Sequence, residues 1–69
     1  MVEIFKTNVE KKEESFIMIQ KLQTYFPGYK INFDLDDCDR ILRIEYREIP
    51  VEKIIGLVGQ YGYQCEVIS

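Results

Sequence analysis

From Ile49 to Ile68 the chain reads IPVEKIIGLVGQYGYQCEVI, a helix start, an apolar stripe, a helix stop and a short strand in immediate succession. Pro50 suits the first helical position, where its missing N–H would be unpaired anyway and its fixed φ already matches the helix. Val51, Ile54, Ile55, Val58 and Tyr61 then recur at the i, i+3, i+4, i+7 spacing that gathers apolar side chains on one face. Gly62 can take the left-handed conformation that ends helices, with Tyr63 folding back onto the last turn in a Schellman stop. Gln64–Ile68 follows as a strand. A one-faced helix running straight into a strand must lie on a sheet that the rest of the chain supplies.

The preceding residues predict the other parts of that sheet. Met1–Val9 shows the period of two of a first strand, with Val2 and Ile4 alternating against Glu3, Phe5 and Thr7. Residues from about Lys11 to Phe26 predict a helix with Phe16, Ile19, Leu22 and Phe26 on its apolar face, widened by Ile17, Met18 and Tyr25. The spacing Thr7-x-x-Glu10 is compatible with a capping box at its start, and Pro27-Gly28 stops it. Tyr29, Ile31, Phe33 and Leu35 alternate with Lys30, Asn32, Asp34 and Asp36, the pattern of a strand with one buried face. Asp36-Asp37-Cys38-Asp39 predicts a hairpin turn. Arg40–Arg47 resumes the alternation, with Leu42, Ile44 and Tyr46 opposed to Ile41, Arg43, Glu45 and Arg47.

Strand, helix, strand, strand, helix, strand, each element with one apolar face, predicts an α+β fold of two layers with both helices on one side of the sheet. Short connections and right-handed crossovers make the ferredoxin-like βαββαβ sandwich, an antiparallel sheet in the strand order 4-1-3-2, the most economical topology. At 69 residues the chain makes a single domain, 1–69, near the lower limit for a self-sufficient core. This topology brings the first strand-to-helix turn, the Cys38 hairpin and the Gly62 corner to one end of the molecule.

Composition excludes several classes of function. A net charge of −3, with nine basic residues scattered among acids, argues against nucleic acid, because phosphate binding needs clustered Lys and Arg. No apolar run approaches the roughly 20 residues of a membrane span, and no secretory signal stands at the N-terminus, so a cytoplasmic protein with reduced cysteines is expected. Histidine is absent, which removes the commonest general base and neutral metal ligand. No Gly-rich phosphate loop, Ser/His/Asp set or Cys/His pair supports catalysis. The expectation is a protein without enzymatic activity or cofactor.

Pro27-Gly28-Tyr29, Ile31–Leu35, Ile41–Ile44, Val51–Ile55 and Tyr61-Gly62-Tyr63 together resemble the heavy-metal-associated domain family, the small copper-chaperone-like modules. The resemblance covers nearly the whole chain and implies the βαββαβ fold. The family holds a soft ion through two thiolates of a GMTCxxC loop between first strand and first helix. Here that segment, Lys6–Ser15, has no cysteine, and the two ligand positions fall near Lys12 and Ser15. A charged ammonium and a serine hydroxyl do not replace thiolates, so the metal function does not carry over.

Cys38 and Cys65 do not rebuild that site. In a 4-1-3-2 sheet their strands are opposite edges, three spacings of about 4.8 Å and so roughly 14 Å apart, too far for a disulfide or a shared ion. Cys65, in phase with Val67, reads as a small core hydrophobe. Cys38, in an acidic turn, is the one candidate for thiol-dependent metal or redox binding. Asp34, Asp36, Asp37 and Asp39 lack the glycine and distal glutamate of a calcium loop and read as a solvated hairpin tip. Acylphosphatase-like chemistry would need an arginine in the first loop, where Asn8 stands. What remains is surface. Phe5, Ile41 and Ile68 are expected on the open face of the sheet, beside Arg43, Glu45, Arg47, Asn32 and Glu66, as an interaction patch for a protein partner or a homodimer.

Overall fold

A computed structural model describes residues 1–36 and 40–68. The elements run β1 (Val2–Thr7), α1 (Lys12–Tyr25), β2 (Lys30–Asp34), β3 (Ile41–Glu45), α2 (Val51–Gln60) and β4 (Cys65–Val67). The sheet has the order β2-β3-β1-β4 with every neighbouring pair antiparallel, the expected 4-1-3-2 order counted from its other edge. The fold is α+β, and its order fits the ferredoxin-like arrangement.

The core lies between the helices and one face of the sheet. Phe5, Ile31, Leu42 and Ile44 from the strands meet Met18 and Leu22 of α1 and Ile54, Leu57 and Val58 of α2, with Val9 of the first loop buried among them. Phe5 corrects an expectation. It is 0% exposed, at the centre of the core rather than on the open face. Phe5 pairs with Leu42 across β3, and Leu42 pairs with Phe33 of β2. Residues directly opposite in a ladder share a face, so Phe5 goes inward with Leu42, and Ile4 takes the outward place instead. Both faces of β1 are apolar, which makes its phase ambiguous by one residue.

α1 is rotated from the expected phase for a similar reason. Its buried line is Ser15, Met18 and Leu22, flanked by the half-buried Ile19 and Phe26, while Phe16, Ile17 and Tyr25 are exposed. A helix carrying apolar residues around most of its circumference has no single phase, and packing against the sheet chose one. The helix start also lies one turn later than Thr7-x-x-Glu10. A Glu14 carboxylate oxygen accepts the Lys11 N–H at 3.2 Å, and Glu13 and Glu14 place negative charge at the positive end of the helix.

α2 ends as its residues dictate. Gly62 sits at φ +90, its N–H donates to the Gly59 carbonyl at 3.0 Å, and the Tyr63 N–H reaches the Val58 carbonyl at 3.4 Å. These are the two bonds of a Schellman stop. Pro50 is the N-cap rather than the first helical residue, its carbonyl accepting the Ile54 N–H at 3.1 Å. Tyr61, the C-cap just past the buried Ile54, Leu57 and Val58, is exposed.

Candidate functional site

The β1–α1 loop and the α2–β4 corner meet at one end of the sheet. The Gln64 N–H donates to Asn8 Oδ1 at 2.7 Å, and the Tyr63 hydroxyl donates to Glu14 Oε2 at 3.0 Å. The Thr7 hydroxyl donates to the Arg40 carbonyl at 2.7 Å and accepts the Val9 N–H at 3.3 Å. The same Arg40 carbonyl accepts the Thr7 N–H at 3.2 Å, so the start of β3 is held to β1 while Arg40 itself stands at φ 50. Hydrogen bonds from the Lys11 N–H and then from Tyr63 hold the Glu14 carboxyl below its ordinary pKa. Burial, then the Glu14 carboxylate, pushes the Tyr63 phenol up.

Lys12 and Ser15, near which the resemblance sets the ligand positions, do not come together as a binding pair. Lys12 is exposed, whereas Ser15 is buried in the core-facing line of α1, its hydroxyl donating back to the Lys12 carbonyl at 2.7 Å. Among the described residues no group of three or more His, Cys, Asp or Glu gathers in a way that could hold a metal ion. Asp34 Oδ1 accepts the Asp36 N–H at 3.2 Å, a local turn bond. Asp37, Cys38 and Asp39 lie outside the described residues, and with them the thiol-dependent reading of Cys38.

Cys65 is a free, half-buried thiol paired across the ladder with Thr7. Burial first, and the neighbouring Glu66 second, push it up to about 12. A thiol so far above neutrality stays protonated and is a poor nucleophile and metal ligand.

The open face of the sheet is ordered in rows by the register. Lys30, Glu45 and Val2 form one row, Asn32, Arg43 and Ile4 the next, and Asp34, Ile41, Lys6 and Glu66 the third. Ile68 extends the middle row, its N–H donating to the Ile4 carbonyl at 2.9 Å. The face thus carries Lys30, Arg43 and Lys6 against Glu45, Asp34 and Glu66, three cations and three anions in alternation. Of the expected patch, Ile41, Arg43 and Ile68 are on this face. Ile68 is 47% exposed, Arg43 is exposed and Ile41 is half-buried.

Two features escaped sequence reasoning. Phe16 is 62% exposed and lines a groove at the β2 edge with Phe33 and Leu35. The signal that could have found it is the Ser15, Met18, Leu22 spacing, which turns Phe16 away from the core. The second is an open groove of about 620 Å³ between the helices, lined by Tyr25, Phe26, Lys53, Gly56, Leu57 and Gln60. Lys53 is its only charged residue, so it offers no acid–base pair.

Among the described residues no helix is long and apolar enough to cross a membrane. Compared with models of known protein families, with curated proteins and with solved structures, the chain matches none.

Proposed function

We propose that this chain is a non-catalytic ferredoxin-like module, similar to heavy-metal-associated domains but without their ligands, which works through protein contacts with a second copy of itself as partner. The observation that carries the reading is the open face, where Ile4, Ile41 and Ile68 stand among three cations and three anions of the paired strand residues. Such a face has no bias toward a strongly basic or acidic partner and suits a surface of its own kind. The loop end supports the same reading, because Asn8, Glu14, Ser15 and Tyr63 are engaged in holding the fold together.

Native mass spectrometry of the reduced protein, with and without Cu(I) and Zn(II), tests this directly. The expected result is a concentration-dependent dimer with no bound metal in either case. A strict monomer at submillimolar concentration would sink self-association. One tightly bound ion per chain, lost in Cys38→Ser, would instead establish the thiol-dependent alternative.

A further inference from the structure

Among the described residues the β2 edge is the longest unpaired boundary of the sheet. β2 pairs with β3 on one side only, so one row of its backbone N–H and C=O groups faces outward. An exposed edge is usually guarded by charge, and β2 carries Lys30 at one end and Asp34 at the other. Two like charges would repel any second copy. Opposite charges at the two ends do the reverse when a copy approaches antiparallel.

The register follows from the sequence KINFD. Antiparallel pairing of β2 with itself about Asn32 sets Lys30 opposite Asp34 of the second copy, twice, with Ile31 opposite Phe33 and Asn32 opposite Asn32. Lys30, Asn32 and Asp34 all stand on the open face, and Ile31 and Phe33 on the helix side. Facing residues therefore match in side as well as in charge, and the helices of both copies remain on one side of the joined sheet. A slip by two residues keeps the sides but loses both Lys30–Asp34 pairs. β4, the other edge, fails the same construction. It has three residues, and pairing it about its centre sets Glu66 against Glu66.

Phe16 supplies the apolar part. The opposite flank of α1 faces α2, through Glu14 to Tyr63, Lys21 over the Tyr61 ring at 6.0 Å, and Tyr25 in the interhelical groove. Phe16 lies on the β2 side, in the groove with the half-buried Phe33. A second copy at the β2 edge brings two such Phe16–Phe33 pairs to the same junction, where aromatic side chains contribute most of the affinity of an interface. Surface ion pairs are individually weak, so Lys30 and Asp34 select register and partner more than they add strength.

We infer that two copies of this chain join β2 to β2, antiparallel about Asn32, into one eight-stranded sheet with Phe16 and Phe33 sealing the helix side. The inference rests on the self-association proposed above but places its junction at the β2 edge rather than on the open face. A two-fold contact of this kind is closed, since each copy has one β2 edge.

Sedimentation of the wild type and of the K30E and D34K variants tests the register. Each variant alone sets like charges opposite each other twice, and each is expected to weaken the dimer about tenfold. An equimolar mixture of K30E with D34K restores opposite charges at both ends, and it is expected to recover the dimer that each variant alone weakens. Asn32→Cys in a Cys38→Ser, Cys65→Ala background is expected to cross-link to itself on oxidation, whereas Lys30→Cys in that background is not. A dimer indifferent to K30E and D34K but lost in Ile68→Glu would overturn the edge junction and leave self-association through the open face. A wild type that never dimerises would overturn both.

Discussion

Single side chains take their chemistry from what surrounds them. Cys65 is held protonated by burial, so below its ordinary pKa the folded state keeps the full benefit of a neutral buried thiol. As pH rises past that value, the unfolded thiol ionises first and stability declines through the window that ends at about 12. In Cys38→Ser protein, alkylation of Cys65 at mildly alkaline pH is expected to be about tenfold slower in the native state than in denaturant. Equal rates would show the thiol to be open. Phe5 illustrates a different point at this scale. Its chemistry announces a core residue, but its side of the strand is decided by Leu42 and Val67 across the ladder.

At the scale of elements, α2 and its stop were legible because local physics decides them. Gly62 stands at φ +90 with nothing within 4 Å of where a Cβ would be, whereas Gly59 lies inside the helix with equally open surroundings. Gly62→Ala is therefore expected to cost about 1–2 kcal/mol through the backbone alone. Gly59→Ala is expected to stabilise by about 0.5–1 kcal/mol, since it removes chain entropy from a helix interior. Urea unfolding of the two variants checks the opposed signs, and a shared sign would refute the assigned helix end. α1 was less legible, because six apolar positions from Phe16 to Tyr25 spread around it and admit more than one phase. The far end of α1 is closed by aromatic packing, with Tyr29 stacked on Tyr46 at 4.0 Å between ring centroids and the Tyr29 hydroxyl donating to the Glu48 carbonyl at 3.0 Å. The strand alternation alone carries no sign of that stack.

Across the whole molecule, a small core stands beside exposed apolar side chains, which fits the association proposed. Among the described residues ten buried apolar ones form the core, while Phe16, Ile17, Val67 and Ile68 stay outside it. A chain of 69 residues has little core to draw on, and a partner that binds only the folded state adds to its stability by mass action. The melting temperature of the wild type is accordingly expected to rise with protein concentration, and that of K30E to rise less over the same range. Melting independent of concentration in both would contradict a folded-state dimer.

By itself the sequence determined the element order, the helix stop at Gly62, the inward faces of β2 and β3 and the sheet order β2-β3-β1-β4. Those features depend on short-range periodicity, on turn chemistry and on the few topologies that short connections permit. Tertiary structure alone decided the phase of β1 and α1, because each carries apolar residues on more than one face. It also decided that Ser15, Glu14 and Tyr63 serve the fold, and that Phe16 stands beside the β2 edge with Lys30 and Asp34 at its two ends. Those are distances between residues far apart in the chain, set by which of several permissible faces the core buried.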